Sequence, residues 1–286
     1  MSIKLFFLLI FFLLMRDSFS QSPSPVSSSK LVQYGSNSKA GRYAELRGFK
    51  MYYEIYGTGK PLLMIHGNGG SIENFKNQIP YYAKRYQVIV ADSRAQGKST
   101  DLRDSLSYEM MADDYDALLS KLGLDSCYVI GWSDGGIDGL LLAMRHPEKI
   151  KKLAITGANL WPDTTALVPD LFQWIVAAND SLGKLEQTPG VKAQKKLVKL
   201  MVFNPNISTT DLKKVKCPVL VIGGDNDVIL AKHTLAIAEA IPHSYLWILP
   251  NSGHSTLVVY KNMFNQVVGD FFKNPFRSIK GMAKLE

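Results

Sequence analysis

The stretch Cys127–Arg145, CYVIGWSDGGIDGLLLAMR, decides how the rest of this chain is read. Cys127–Trp132 is a short continuous apolar run, the pattern of a strand buried on both faces of a parallel sheet. Asp134–Arg145 carries helical periodicity until His146-Pro147 ends it. Between them lies Gly131-Trp132-Ser133-Asp134-Gly135. A G-x-S-x-G pattern arises by chance in about one chain in ten of this length, so the pattern alone is weak. Its context is what carries it. A strand that turns at once into a helix needs small residues, because a serine held in a strained turn leaves no room for neighbouring Cβ atoms. The turn lifts the Ser133 hydroxyl above the sheet. The new helix aims N–H groups and a positive dipole at charge developing there.

The same kind of run recurs on both sides. Tyr43–Leu46 and Lys50–Tyr56 flank Gly48 as a hairpin. Pro61–His66, Tyr86–Asp92, Lys152–Ile155, Pro218–Ile222 and Tyr245–Leu249 read as further buried strands. Tyr108–Leu124 and Thr256–Phe272 read as helices. This alternation predicts an α/β fold: a mostly parallel, eight-stranded sheet with helices on both faces. No strand is expected within 160–212, where Trp161, Phe172 and Trp174 precede a lysine-rich helical stretch. That segment is expected to be an inserted helical cap. The domain is expected to occupy residues 41–276, followed by a basic tail at 277–286.

A serine hydroxyl is a poor nucleophile without a base. Of the five histidines, His254 stands in Pro250-Asn251-Ser252-Gly253-His254, directly after the last strand. Loops at the carboxyl edge of a parallel sheet are where such sheets build sites. An imidazole in turn needs a carboxylate to fix its tautomer. Asp225 and Asp227 both follow the strand ending at Gly223. Asp227 is the expected partner, since its longer reach lets it turn back over the sheet; Asp225 suits a turn that caps the loop. His66-Gly67-Asn68-Gly69-Gly70 lets backbone approach a reacting carbonyl closely. The backbone N–H groups of Asn68 and Asp134 are the expected oxyanion donors, each worth about 2.7–4 kcal/mol. Trp132 and Trp161 are candidates to contact substrate.

These motifs, HGNGG, then DSRAQGKS (Asp92–Ser99), GWSDGG, GGDND and NSGH, resemble the α/β-hydrolase superfamily in order and spacing over about Arg42 to Phe272. GWSDGG followed by Gly157-Ala158-Asn159 resembles its valacyclovir-hydrolase-like branch. The resemblance implies a serine hydrolase acting on carboxylic esters, with some preference for α-amino acid esters, and it implies that Asp134 receives a substrate ammonium. Charge makes Asp134 informative on its own account. A carboxylate ~6 Å from a developing oxyanion repels it by about 3 kcal/mol at an effective dielectric near 20. Asp134 must therefore point away, pair with a lysine or arginine of the protein, or meet a cationic substrate. The same triad also serves C–C bond hydrolases, thioesterases, amidases, aminopeptidases and cofactor-free haloperoxidases. A non-catalytic ligand-binding protein on a hydrolase scaffold is the alternative of another class. No metal-ligand spacing or cofactor motif is present in the sequence, and none is expected to be needed.

Composition bounds the rest. Lys4 followed by the apolar run Leu5–Met15, with small residues at Ser18 and Ser20, predicts an export signal over residues 1–20 and a periplasmic or secreted product; an uncleaved anchor is the alternative. Residues 21–40 are rich in Ser, Pro, Gly and Asn and are expected to form a flexible leader. The formal charge is +8, and loss of Lys4, Arg16 and Asp17 with the signal leaves +7. The basic runs lack interleaved aromatics, which argues against a nucleic-acid partner. Cys127 and Cys217 each open an apolar run and are expected to be buried free thiols.

Overall fold

The computed structural model describes residues 32–279 and Lys284. The expected export signal and residues 21–31 of the leader lie outside the described residues. Each run expected to be a strand becomes one, all in a single sheet: β1 (Gly41–Leu46), β2 (Phe49–Tyr56), β3 (Lys60–Ile65), β4 (Tyr86–Ala91), β5 (Cys127–Trp132), β6 (Ile150–Thr156), β7 (Val219–Gly224) and β8 (Ser244–Leu249). Their order is β1-β2-β4-β3-β5-β6-β7-β8. The β1–β2 and β2–β4 pairs are antiparallel and all others parallel. The helices are α1 (Ile79–Tyr82), α2 (Tyr108–Lys121), α3 (Asp134–Arg145), α4 (Pro169–Gly183), α5 (Pro189–Phe203), α6 (Ala231–Ala240), α7 (Thr256–Val259) and α8 (Lys261–Lys273).

The two-residue side-chain period sorts the strands onto two cores. Leu63, Ile65, Ile89, Val129 and Ile155 pack with α2 and α3. Leu62, Met64, Val90, Ile130 and Ile222 face the other way, onto Phe264, Val268 and Phe272 of α8. Burial on both sides is why these strands read as unbroken apolar runs. The β1–β2 hairpin turns at Arg47 (φ 43°) and Gly48 (φ 83°). Positive φ at both central residues is the type I′ geometry whose twist suits paired strands. Cys127 and Cys217 are buried free thiols.

Two expectations are corrected. The closing helix is not continuous from Thr256 to Phe272. It breaks at Tyr260 (φ −103°, ψ 32°), whose hydroxyl is shared between the carbonyls of Pro250 and Asn251. The later part of the leader is also not loose. Gly35 and Asn37 donate their N–H groups to the Glu54 carboxylate, and Tyr34 packs edge-on against Tyr56. Glu54 is fully buried and accepts from Tyr52 and Tyr56 hydroxyls as well. A buried carboxylate without such donors is costly, so it holds the leader against the sheet. At the other end, Arg277 is pinned to the Tyr245 hydroxyl, with its N–H donating at 2.7 Å.

Between β6 and β7 the chain leaves the sheet and forms α4 and α5. Ile175 of α4 packs with Ala166, Leu167 and Ile229. Leu167 and Ile229 form an antiparallel bridge, flanked by Val168 N–H to Val228 C=O (2.9 Å) and Leu230 N–H to Ala166 C=O (2.9 Å). The start of this insertion is thereby fastened to the loop that follows Asp227. Among the described residues, no helix is long and apolar enough to cross a membrane.

Candidate active site

Ser133 stands between β5 and α3 with φ 56° and ψ −122°. A non-glycine residue in that region costs of order 1–3 kcal/mol, held by the surrounding structure. Here the start of α3 packs directly on the strands. A Cβ on Gly131 would lie 2.2 Å from the Gly135 carbonyl oxygen, and one on Gly135 would lie 2.0 Å from that of Ile65. The two glycines of the motif are therefore required by close packing. The Ser133 N–H is fixed on the Thr156 carbonyl at 2.8 Å.

Three elements converge above this turn. His254 Nε2 lies 2.9 Å from Ser133 Oγ and accepts its proton, while Nδ1–H donates to Asp227 Oδ1 at 2.7 Å. Asp227 Oδ1 also accepts the Ile229 N–H at 3.0 Å. The neighbouring carboxylate does different work. Asp225 accepts the N–H groups of Asn251 (2.9 Å) and Ser252 (3.0 Å), bracing the loop that carries His254. Those N–H groups, Ser252's above all, hold the Asp225 carboxyl below the usual carboxylate range.

On the opposite side of Ser133 runs the loop after β3. A Cβ on Gly67 would lie 3.0 Å from Ser133 Cβ and 3.6 Å from its Oγ. His66 anchors this loop. Its Nε2 accepts the Ser93 N–H (2.9 Å), so Nδ1 carries the proton and donates to the Gly67 carbonyl (2.7 Å). Burial lowers its pKa, and it is a fixed neutral brace. Gly69 N–H donates to Gln96 Oε1 at 2.6 Å. Asp92, first residue of the DSRAQGKS loop, accepts from Ile72 and Lys98 N–H groups, and buried Arg94 forks onto Asp114 at 2.6 Å through both nitrogens. These bonds tie the loop to its neighbours.

The family description "alpha/beta hydrolase fold" matches residues 60–187. RutD of Caulobacter sp. (strain K31), which carries a provisional carbamate-hydrolase name, is 28% identical over 258 residues, covering 77% of this chain and 95% of its own length. The serine hydrolase BPHL of Homo sapiens is 27% identical over 251 residues, covering 80% of this chain and 84% of its own. Among solved structures, Est816, described as an N-acyl homoserine lactone degrading enzyme, superposes with a TM-score of 0.67 at 24% identity, covering 80% of this chain and 100% of that one. The enol-lactonase from Burkholderia xenovorans LB400 gives 0.68 at 19% identity, covering 82% and 100%. The chain has the α/β-hydrolase fold. It is an enzyme of the hydrolase class, and the likeness to BPHL agrees with the branch that its motifs resemble.

The remaining candidate residues divide by position. Asp134 is buried, with Asn68 Nδ2 donating to its Oδ2 at 2.8 Å and the Tyr108 hydroxyl also bonded to it. Burial raises its pKa above the usual value, and the Asn68 and Tyr108 bonds oppose that rise. Among the described residues, no lysine or arginine forms an ion pair with it. One turn further on, Asp138 is buried with neither carboxyl oxygen hydrogen-bonded. Burial, then the Asp134 charge, push its pKa well above the ordinary range.

Trp132 faces the α8 side of the sheet, and its indole N–H donates to the His254 carbonyl at 3.0 Å. It holds the histidine loop from behind, which is not the substrate-contact position expected from sequence. Trp161 stands at the start of the insertion between β6 and β7, its N–H on Thr165 Oγ1 (2.8 Å) and its ring edge-on to His233 at 4.6 Å. Gly157 was missed as a site residue. It follows β6 with φ 67°, and a Cβ there would lie 2.7 Å from His254 Cε1. Its signals in the sequence were a glycine directly after a buried strand and its place in the Gly157-Ala158-Asn159 stretch.

Proposed function

We propose that this α/β-hydrolase is a serine hydrolase cleaving a carboxylic ester, or a related acyl bond, through an acyl-enzyme on Ser133. One observation carries the reading: the unbroken relay from Ser133 Oγ through both nitrogens of His254 to Asp227, at 2.9 and 2.7 Å. In this reading Ser133 Oγ attacks the carbonyl carbon as His254 takes its proton, and Asp227 stabilises the imidazolium that forms. The oxyanion rests on the N–H groups of Asn68 and Asp134, each worth about 10²–10³ in rate. His254 then protonates the leaving alcohol, activates a water to attack the acyl carbon, and returns a proton to Ser133 as the acid departs.

Esters carrying an ammonium group suit this site best. Asp134 sits beside the nucleophile, and the groups bonded to it are neutral donors. A cationic substrate supplies the charge that offsets its repulsion of the oxyanion. Export through residues 1–20 belongs to the same proposal, and a mature N-terminus other than Gln21 would count against cleavage after Ser20.

A fluorophosphonate probe tests the central claim. The expected result is a stoichiometric adduct on Ser133, located by peptide mass spectrometry and absent in His254→Ala. A folded protein that turns over no ester and takes no adduct would leave a binding protein on a hydrolase scaffold as the better reading.

A further inference from the structure

The cap carries a surface that the hydrolytic reading does not use. Helix α5, PGVKAQKKLVKLMVF, contains four lysines and no acidic residue. Its inward side is occupied: Leu200 is buried in the main core, Met201 and Val202 pack on the Ile175 cluster, and the Leu197 carbonyl accepts from Asn68 Nδ2 at 3.3 Å. Lys192, Lys196, Lys199 and Phe203 follow one another by four, three and four residues, which places them in a single stripe along the helix. Lys192 and Lys199 are exposed, and Phe203 is 54% exposed. Lys196 reaches from the stripe to the loop before α2, donating to the carbonyls of Asp101 (3.2 Å) and Arg103 (2.6 Å). That bond brings Leu102, which is 100% exposed, alongside the lysines. Among the described residues, no acidic side chain pairs with Lys192, Lys195 or Lys199.

We propose that this outer face of the cap, Lys192, Lys195 and Lys199 of α5 with Leu102 and Phe203 beside them, docks on an anionic lipid bilayer. Lysines beside exposed apolar side chains are the pattern of interfacial binding, where ammonium groups meet acidic headgroups and apolar side chains sink to the acyl boundary. Nucleic acid and acidic polysaccharide answer the charge but give the apolar side chains nothing to enter. Docking there holds the capped site where amphiphilic esters concentrate.

The test uses the full chain with vesicles of phosphatidylglycerol and phosphatidylcholine, or of phosphatidylcholine alone, scored by co-sedimentation. Three lysines near an anionic surface strengthen binding by about five-fold each. The triple variant Lys192→Glu, Lys195→Glu, Lys199→Glu should therefore bind anionic vesicles more weakly by at least about 100-fold, since the new carboxylates are also repelled, while its hydrolysis of a water-soluble ester stays as in the wild type. A control variant of equal net charge, Lys60→Glu, Lys213→Glu, Lys216→Glu, alters exposed lysines at the amino edge of the sheet. It should retain most of the binding. Leu102→Ser with Phe203→Ser should weaken binding without changing net charge. Equal losses in the two triple variants would reduce the effect to overall charge and overturn the proposal. So would a wild-type chain that does not prefer anionic vesicles, or one that binds heparin or DNA but not vesicles.

Discussion

Gly157 and His254 are in contact so close that only the missing side chain permits it: a methyl group at Gly157 would stand 2.7 Å from His254 Cε1 and 2.9 Å from Nδ1. Gly157 also holds a positive φ of 67°. The residue directly follows β6, the strand beside β5, so the sheet itself fixes where the imidazole rests.

Gly157→Ala should therefore disable the site without unfolding the protein. The imidazole has to move by several tenths of an ångström, away from Ser133 or from Asp227. Displacements of about 1 Å in a catalytic group cost on the order of 10²-fold. Steady-state kcat/KM should fall by about that factor, together with the rate of fluorophosphonate labelling. A variant of unchanged far-ultraviolet dichroism and full activity would show that the imidazole does not depend on this contact.

The paired aspartates separate in the same assay. Asp227→Asn keeps the shape but favours the wrong imidazole tautomer, and kcat should drop by about 10⁴-fold. Asp225→Ala releases the N–H groups of Asn251 and Ser252 and loosens the histidine loop. A loss nearer tenfold is expected, as for a small displacement of the base. The Asp225 pKa is depressed, so its bracing is complete above the usual aspartate value of about 3.9 and fades only as the pH falls through its lower folded value. The Asp225→Ala deficit should accordingly be the same at pH 6 and pH 8. Equal losses in the two variants would contradict the division of labour.

A third prediction concerns the start of the insertion between β6 and β7. His233 Nε2 accepts the Leu160 N–H at 3.0 Å, which requires the neutral ring. Burial lowers its pKa to about 4; the Asp163 charge opposes this and Lys232 adds to it. The unfolded chain binds the proton first. This contribution to stability is thus complete above about pH 6.5 and is lost as the pH falls from there towards 4. His233→Gln keeps an acceptor without the titration. The thermal midpoint of the variant should decline less between pH 7 and pH 4.5 than that of the wild type, by about 2–4 °C for each kcal/mol involved. Parallel curves would mean that another group carries the acid sensitivity.

What was legible in the sequence was local. The turn at Ser133 announces itself because strand, small residues and helix adjoin within nineteen residues, Cys127–Arg145. His254 and Asp227 were legible because each lies in a loop that follows a strand at the sheet's carboxyl edge. The Trp132 side chain was not legible, because a one-residue difference in strand phase decides between substrate and core, and it lies on the core side. Gly157 was not legible as a site residue, because its partner is His254, brought to it only by the β6–β7–β8 order of the sheet. The break at Tyr260 depends on a hydroxyl bond to a loop ten residues back, which helical periodicity does not register.

The last prediction addresses substrate choice. Asp134 is buried against Asn68 and Tyr108, and neither is a cation. An ammonium group about 5 Å away is attracted by about 3 kcal/mol at an effective dielectric near 20. That corresponds to roughly 10²-fold in kcat/KM. Asp134→Ala should lose this factor on amino esters while losing much less on neutral esters of equal size, since the backbone N–H of residue 134 remains. The difference should appear mainly in KM if the ammonium is bound equally before and during attack, and in kcat if the contact tightens as the oxyanion forms. Because burial raises the Asp134 pKa, the preference for amino esters should weaken as the pH falls towards that value and the carboxylate takes up a proton. Equal losses on charged and neutral esters would assign Asp134 to holding Asn68 and the oxyanion loop, with no part in choosing the substrate.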